Sequence, residues 1–503
     1  MNRVNRSSIN MISSLLGYAV PMAIAMITTP MVLEGLGVSA YGLVSLINVL
    51  IGYLTVMDMG LDLPITKYLA EDKAKADNES ANKLLNNAFQ LYSIIGIVGM
   101  FLIVVNAEYL AYNVFKVPDD LLSDAVSVFQ LAGIGFLASV LTSWGRAVSM
   151  GVQRFEITHG VSVITNLFGL SLGLFLIYLG YGVVGFVFMR VLFSLIAGGG
   201  YWYFVNRLLP FYRFKIGFDK NTLLRIRAYI GYGAINRFVS GLVSGLDKTL
   251  ISAWIGLAAN TIYSIPFMLV SSLGYMVSYM LGFLIPISSE LNSVGELKKL
   301  NEIFTRSTKF ITALVCMVFL PVLIFGDLFI KLWIDSEMSK ETRDVLILLV
   351  IAGILSTLFA SLSNNIIVGI GRIKEFTIYC TIRGLVLALG CFMLIEPLGI
   401  EGAGIALILT TIVDFIFLII VLKKYLKISP MNLFLSAYLA PLTIGFILAV
   451  FILFFRTFAE TWIGLIASIG LFEILYILMG FKFGVFGQTE KRVVLNFVNK
   501  LKS

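Results

Sequence analysis

The sequence predicts an all-α membrane protein of about fourteen transmembrane helices. Two pseudo-symmetric six-helix bundles would surround a central cavity, and two further C-terminal helices would follow them. Three observations predict this fold. Apolar runs long enough to cross a bilayer recur along all 503 residues, basic residues concentrate in alternate loops, and short motifs recur at a nearly constant offset.

The composition requires lipid as a solvent for much of the chain. Hydrophobic residues make up 59% of it and charged residues only 13%, whereas soluble domains average roughly 45–50% and ~25%. A membrane helix needs ~20 apolar residues to cross ~30 Å of hydrocarbon, and each run must be helical because lipid offers the backbone no hydrogen bonds. The predicted spans are 9–33, 41–66, 84–105, 123–145, 159–179, 183–206, 229–254, 259–286, 307–328, 344–368, 377–396, 402–422, 432–455 and 461–481.

The basic residues predict the orientation of these spans. With the N-terminus in the cytoplasm, 28 of the 37 basic residues fall in inner segments, five in outer segments and four within spans. This asymmetry satisfies the positive-inside rule. We therefore expect an inner-membrane protein with both termini in the cytoplasm. The net charge of +8 then reflects topology, and a nucleic-acid partner is not expected.

An internal repeat predicts two equivalent halves. Matching segments are separated by 218 or 219 residues, and each match falls at a corresponding place in the span order. Since each half would hold six spans, an even number, the halves would run parallel about an axis along the membrane normal. The matched pairs are 150–156 with 368–374, Gly180 with Gly399, and Gly37 with Gly256.

The repeat and the spans together predict four segments. Residues 1–206 would form an N-terminal six-helix lobe and residues 229–424 the C-terminal lobe. Residues 207–228 would be a basic cytoplasmic linker between them. Residues 425–503 would carry helices 13 and 14 and a basic cytoplasmic tail.

Four basic residues lie inside predicted spans, namely Arg190, Arg237, Lys248 and Arg383. Each costs roughly 2.5–3.5 kcal/mol at the centre of a membrane helix, so it must face water or a partner. Arginine offers a planar fork that matches phosphate oxygens. We predict that these residues line a cavity and bind an anionic substrate, or alternatively that each pairs with a nearby acid. Uncharged polar residues predicted to line the same cavity are Asn236, Asn364 and Asn365, with Asn48, Gln130 and Asn166 as further candidates.

Acidic residues inside spans are candidates for ion coupling or gating. Asp414 lies mid-span, where desolvation favours the protonated carboxyl, and the alternative is a buried ion pair with Arg383 or Arg190. Asp58 and Asp62 are four residues apart and share a helix face, so they could form an inner gate, or a structural network with nearby basic residues. Asp247 completes this predicted set.

The residues needed for metal binding or catalysis are scarce. His159 is the only histidine, and the three cysteines lie in apolar runs without metal-ligand spacing. We therefore expect no metal site, no cofactor and no enzymatic activity.

A set of motifs carries a family resemblance. Leu36–Gly42 reads Leu-Gly-x-x-x-Tyr-Gly, Asp58–Leu61 reads Asp-x-Gly-Leu, and Lys67 closes span 2. This pattern resembles the polysaccharide transporter, or O-antigen flippase, branch of the multidrug/oligosaccharidyl-lipid/polysaccharide exporter superfamily. Members often have Arg where Lys67 stands.

The resemblance implies a flippase working by alternating access. The cargo would be a polyprenyl-diphosphate-linked oligosaccharide, such as an O-antigen or capsule repeat unit, moved from the inner to the outer leaflet. A proton or sodium gradient would drive the cycle. Membrane lipids and other polysaccharide-assembly proteins would be the expected partners.

Other functions fit the sequence less well. A drug or cation antiporter of the same superfamily would usually have twelve spans and an acidic cavity. A membrane glycosyltransferase or polymerase needs an outer loop with catalytic residues, and the outer segments 106–122 and 329–343 contain no histidine and no clear acidic constellation. A major-facilitator sugar porter would carry Gly-x-x-x-Asp-Arg-x-Gly between spans 2 and 3, where it is missing.

Overall fold

The computed structural model of the chain describes residues 23–54, 61–152, 154–227, 245–281 and 284–486. Helices and their connecting turns account for these residues, and no strand occurs among them. The chain divides into two compact units, Met1–Thr261 and Ile262–Ser503. The division into four segments stays a prediction.

Nine helices of the first unit lie within its described residues, apart from short helical turns. They are α1 (Ala23–Leu36), α2 (Val38–Leu54), α3 (Asp62–Ala74), α4 (Asn78–Val105), α5 (Leu122–Gly151), α6 (Phe155–Tyr178), α7 (Gly182–Leu208), α8 (220–227) and α9 (Leu246–Trp254). The next helix, α10 (Leu257–Met280), crosses the boundary between the units.

The second unit continues in the same manner. Its longer helices are α11 (Leu284–Ser293), α12 (Leu297–Trp333), α13 (Ser336–Gly369), α14 (Ile373–Leu398), α15 (Ile400–Ile420), α16 (Leu439–Ile452) and α17 (Trp462–Lys482). A π-helical turn over Val421–Leu426 extends α15, and Pro430–Leu433 with the π-turn Phe434–Tyr438 precedes α16.

Eleven helices in the described part of the chain are long and apolar enough to cross a membrane. They coincide with eleven of the fourteen predicted spans, which confirms the all-α membrane fold. The other three predicted spans, the first, second and seventh, are only partly described. Their described parts include the shorter helices α1, α2 and α9.

One helix forms the centre of each unit. In the first unit α5 packs against α3, α4 and α7, and in the second α13 packs against α12 and α15. Half of the most apolar stretch of α5 and of α13 is buried, against 22% for α6. The remaining surface exposes large apolar side chains, including Phe101, Met393 and Ile463. Such a surface requires lipid around the helices.

Small residues allow the helices to approach closely. A Cβ atom added to Gly99 of α4 would lie 2.1 Å from Cε1 of Phe136, and one added to Gly96 would lie 2.6 Å from Cδ1 of Leu137. Both neighbours belong to α5. Without a hydrophobic force between helices in lipid, this close packing is what holds them together.

The sequence repeat has a structural counterpart in each unit. A Cβ atom at Gly151 would lie 3.2 Å from the carbonyl oxygen of Thr66, and one at Gly369 would lie 2.7 Å from that of Ile285. Ile285 follows Thr66 by 219 residues and Gly369 follows Gly151 by 218, so the same contact occurs twice. At Gly369 a side chain would collide with the backbone, and at Gly151 it would make a contact tighter than an ordinary one.

Turns at matching positions also share a positive φ. The matched glycines between helices all have a positive φ, which a residue with a side chain rarely adopts. The values are 80° and 127° for Gly37 and Gly256, and 88° and 65° for Gly180 and Gly399. The offset therefore marks equivalent helix ends.

Candidate functional site

A cavity of about 240 Å³, lined by both polar and apolar residues, lies inside the first unit. Helices α2, α5, α6 and α7 form its walls. Arg190, in the third turn of α7, is the charged residue of its lining. The polar residues that line it are Asn48, Ser139, Thr165, Asn166, Arg190 and Ser194.

The Arg190 guanidinium has few protein contacts. Its Nη2 donates a hydrogen bond to Oδ1 of Asn48 at 3.2 Å, and its Cζ lies 5.9 Å from the ring centre of Phe186. Tyr41, the tyrosine of the Leu-Gly-x-x-x-Tyr-Gly motif, interacts with it electrostatically. Among the described residues, no carboxylate forms an ion pair with Arg190.

Two of the surrounding polar side chains donate a hydrogen bond to their own helix. Thr165 Oγ1 donates to the Val161 carbonyl at 2.8 Å, and Asn166 Nδ2 donates to the Ser162 carbonyl at 2.9 Å. An arginine carries five N–H donors, and Asn48 takes one of those of Arg190. Arg190 therefore brings spare hydrogen-bond donors and a positive charge to the cavity, a combination suited to an anion.

A second intramembrane arginine, in the other unit, has a different environment. Arg383 of α14 donates from Nε to Oδ1 of Asp414 on α15 at 2.9 Å. The hydroxyl of Tyr379, one turn before Arg383, donates to the same oxygen at 2.7 Å. Asp414 is fully buried. Of the two alternatives for Asp414, the structure therefore contains the ion pair with Arg383.

This pair leaves one carboxylate oxygen available. Oδ2 of Asp414 is buried and accepts no hydrogen bond within the described part of the chain. The ring of Tyr379 stacks on Phe417 with centroids 4.1 Å apart, which fixes the position of its hydroxyl. The arrangement has a charged pair, a fixed hydroxyl donor and one carboxylate oxygen that accepts no hydrogen bond from a described residue.

The remaining predicted residues of α9 and α13 do not join either cluster. Asp247 is buried in the first turn of α9, where its Oδ1 accepts from the backbone N–H of Lys248 at 2.9 Å. On α13, Asn365 Nδ2 donates to the Ser361 carbonyl at 2.7 Å. Oδ1 of Asn364 is buried and accepts no hydrogen bond from a described residue.

The described residues include only one of the two aspartates of the predicted inner gate. Asp62 lies half-buried in the first turn of α3. Asp58, its predicted partner, lies outside the described residues, as do Asn236 and Arg237. Their predicted roles stay predictions.

Some residues at these sites were not identified from the sequence. Tyr379 could have been found, because it lies four residues before Arg383 and shares its helix face. Phe186 stands in the same relation to Arg190. The pairing of Arg190 with Asn48 joins residues 142 positions apart, and no local spacing indicates it.

Sequence comparison identifies the family of the chain. Residues 36–340 match the family model described as "Polysaccharide biosynthesis protein". A curated protein of Shigella flexneri, named "Putative O-antigen transporter", is 23% identical over 419 residues, which cover 81% of this chain and 96% of that protein.

Solved structures share the fold. The inward closed conformation of the lipid II flippase MurJ superposes with a TM-score of 0.74 at 12% identity, covering 94% of this chain and 98% of MurJ. An inward-facing multidrug resistance MATE transporter of the MOP superfamily gives a TM-score of 0.67 at 15% identity, covering 85% and 99% of the two chains. The resemblance predicted from the motifs is thereby confirmed. The chain belongs to the polysaccharide biosynthesis protein family and has the fold of the MOP-superfamily transporters.

Proposed function

We propose that this protein is a flippase that moves a polyprenyl-diphosphate-linked oligosaccharide from the inner to the outer leaflet by ion-coupled alternating access. The cargo would be an O-antigen or capsule-type repeat unit. The protein would lie in the bacterial inner membrane, with both termini in the cytoplasm.

The observation that carries this proposal is Arg190 in its cavity. A cation within a membrane helix is costly, and here the described part of the chain supplies no carboxylate to offset it. A diphosphate would offset it, because a guanidinium binds phosphate oxygens through two parallel N–H donors. The amide and hydroxyl groups around it lie where the sugar or the other phosphate oxygens would meet them.

Asp414 is the proposed coupling residue. Proton binding at its free Oδ2 would neutralise the carboxylate and weaken the bond to Arg383. Arg383 would then be left with a charge that a substrate phosphate or water must compensate. Protonation and substrate binding would thus act on the same arginine, which is a physical route for ion coupling.

The other predicted residues complete the proposed path. Arg237, Lys248, Asn236, Asn364 and Asn365 would contact the cargo as it passes. Asp58, Asp62 and Asp247 would serve as gate or ion-binding residues. Membrane lipids would surround the polyprenyl tail, and other polysaccharide-assembly proteins would supply and receive the cargo.

The MATE likeness raises a drug or cation antiporter as the alternative. The cavity of the first unit argues against it, since a cationic drug would meet the uncompensated charge of Arg190. The proposal therefore keeps an anionic substrate.

Reconstitution into liposomes tests the proposal. A fluorescent polyprenyl-diphosphate oligosaccharide would be incorporated in both leaflets, and dithionite added outside would bleach the outer label. We expect the protein to make the inner pool accessible, faster with a proton or sodium gradient than without one. We expect Arg190→Gln to slow this transfer at least about tenfold at limiting cargo, because a hydrogen bond to a charged group contributes about 1.5–3 kcal/mol.

Arg146→Gln is the matched control. Arg146 is an exposed arginine of α5 outside the cavity, and its variant should transfer cargo at the wild-type rate. An inner pool that stays protected in the presence of folded wild-type protein would overturn the proposed function. Equal transfer by both variants would remove Arg190 from the site.

A further inference from the structure

The segment between α7 and α8, residues 209–219, runs extended along α4, and we call it the strap. Side-chain amides of α4 hold its backbone. Asn86 Nδ2 donates to the Arg213 carbonyl at 2.8 Å, and Asn86 Oδ1 accepts from the Lys215 N–H at 2.9 Å. Gln90 donates to the Lys215 and Gly217 carbonyls and accepts from the Gly217 N–H.

The spacing of the α4 amides matches the spacing of alternate residues in the extended strap. Asn82, Asn86 and Gln90 are spaced by four residues, or about 6 Å along a helix. The strap backbone advances by two residues in about 6.6 Å. Successive amides of α4 therefore meet alternate residues of the strap, beginning with Asn82 Oδ1 at the Arg213 N–H, 2.7 Å away.

This match sets the side-chain alternation of the strap. Residues 212, 214, 216 and 218 are apolar or aromatic, and residues 213, 215 and 217 are Arg, Lys and Gly. Tyr212 is buried, and the centre of its ring lies 6.0 Å from the ring centre of Trp144. Phe214, Ile216 and Phe218 are exposed by 44%, 89% and 47%. Leu209, at the start of the strap, is buried as well, so the strap has a buried anchor at its beginning and an exposed apolar edge beyond it.

The strap lies beside the predicted start of the membrane span of α4. It contacts residues 82–90 of α4, and the predicted span of that helix begins at residue 84. Exposed apolar side chains at this level face the boundary between headgroups and hydrocarbon, where aromatic residues are enriched. Lipid at this boundary would cover Phe214, Ile216 and Phe218.

Three basic side chains lie on the strap or directly after it. Arg213, Lys215 and Lys220, the first residue of α8, are exposed. Within the described ranges none of the three forms an ion pair with a carboxylate. Arg225 of α8 differs, because Asp72 of α3 binds it through two hydrogen bonds of 2.9 and 2.7 Å.

We propose that the strap binds anionic phospholipid at the membrane interface. Phe214, Ile216 and Phe218 insert between the acyl chains, and Arg213, Lys215 and Lys220 bind the lipid phosphates. Basic residues beside an apolar surface at the cytoplasmic leaflet favour anionic lipids. The site is independent of the transported cargo.

Fluorescence quenching in nanodiscs tests this site. A polarity-sensitive dye would be attached to the full-length Ile216→Cys protein, with the native cysteines replaced. The nanodiscs would contain phosphatidylcholine with phosphatidylglycerol, and a spin label would be carried by one lipid or the other. We expect stronger quenching by labelled phosphatidylglycerol, and a dye more accessible to lipid than to aqueous iodide.

Removal of the three charges separates the headgroup contacts from insertion. The variant Arg213→Gln/Lys215→Gln/Lys220→Gln should reduce the preference for phosphatidylglycerol at least about tenfold, since each basic residue contributes about fivefold near an anionic surface. These side chains are exposed, and folding can be checked by gel filtration.

Lys298→Gln/Lys374→Gln/Lys423→Gln removes the same charge from exposed positions elsewhere and should keep the preference. A strap variant that also keeps it would overturn the proposed headgroup contacts. A dye quenched by iodide and not by lipid would overturn insertion.

Discussion

The two described intramembrane arginines illustrate how one residue type serves two purposes. Arg383 is matched by a buried carboxylate and a tyrosine hydroxyl. Among the described residues, Arg190 has a single side-chain hydrogen bond, to an asparagine. An arginine that is neutralised in place stabilises the fold, whereas one that is not neutralised gains most from an incoming anion.

Removal of Asp414 should therefore be costly to the fold. Asp414→Asn leaves Arg383 charged and partly buried without its counter-ion, and we expect a loss of about 3–5 kcal/mol in the free energy of unfolding. The double variant Arg383→Gln/Asp414→Asn should recover much of that loss because no charge remains unpaired. Denaturant unfolding in detergent measures both.

Tyr379→Phe provides the control for this comparison. It removes one hydrogen bond to Asp414 but keeps the ion pair and the stacked ring, so we expect a loss of about 1 kcal/mol. If Asp414→Asn were as stable as the wild type, the carboxylate would not hold Arg383, and the pair would have no structural role.

The sequence located the membrane charges but not the contacts between them. Insertion energetics mark an arginine in an apolar run from composition alone. The choice between a partner and a cavity depends on which helices pack together, and Arg383 and Asp414 are 31 residues apart on different helices. The sequence alone leaves open which arginine is the partner of Asp414, and the packing of α14 on α15 is what brings Asp414 to Arg383.

At the scale of secondary structure elements, the strap shows how a connection can be held without a sheet. The amides of Asn82, Asn86 and Gln90 replace a neighbouring strand. The strap ends at Asp219, which caps α8 by accepting hydrogen bonds from the hydroxyl and backbone N–H of Thr222. These bonds lower the pKa of Asp219, so the cap is charged at neutral pH.

Loss of one amide should release the strap locally. Asn86→Leu leaves the Arg213 carbonyl and the Lys215 N–H without their side-chain partner. An unsatisfied group of this kind costs about 1–3 kcal/mol, so we expect amide hydrogens of residues 213–217 to exchange at least about tenfold faster. Hydrogen-exchange mass spectrometry of peptides covering the strap measures this.

Asn106→Leu is the matched control, since Asn106 at the end of α4 donates to the Leu102 carbonyl of its own helix. The amide hydrogens of the strap should exchange at the wild-type rate in this variant. An unchanged exchange rate in Asn86→Leu would mean that the aromatic contacts of Tyr212 hold the segment by themselves.

Hydropathy predicted the spans but not their internal irregularities. The π-helical turns Val421–Leu426 and Phe434–Tyr438 fall at the junction between α15 and α16. Hydropathy reports how much apolar chain is present, whereas a π-turn is a change in hydrogen-bond register. Hydropathy therefore carries little information about that register.

At the scale of the whole molecule, the uneven distribution of basic residues predicts the orientation. Single cysteines would be placed at two exposed positions, Glu108 and Lys374, in a background without native cysteines. A membrane-impermeant maleimide should label Glu108→Cys in intact cells. It should label Lys374→Cys only after the membrane is opened, because inner loops carry the excess of Lys and Arg.

The two sites serve as controls for each other, since both face water but are expected on opposite sides. Labelling of Lys374→Cys in intact cells without labelling of Glu108→Cys would mean that the protein has the opposite orientation in the membrane. The strap would then lie at the outer leaflet.

The row of side-chain amides on α4, from Asn82, Asn86 and Gln90, has a consequence for which substitutions the strap can accept. These amides bind backbone N–H and C=O groups, which every residue type provides apart from the missing N–H of proline. The hydrogen bonds between the strap and α4 therefore do not depend on most side chains of the strap. Gly217 is the exception, because its φ of 129° favours glycine. The exposed side chains of the strap could therefore change, by evolution or by design, to suit a bilayer of different composition. The backbone of the strap and its hydrogen bonds to α4 would stay the same.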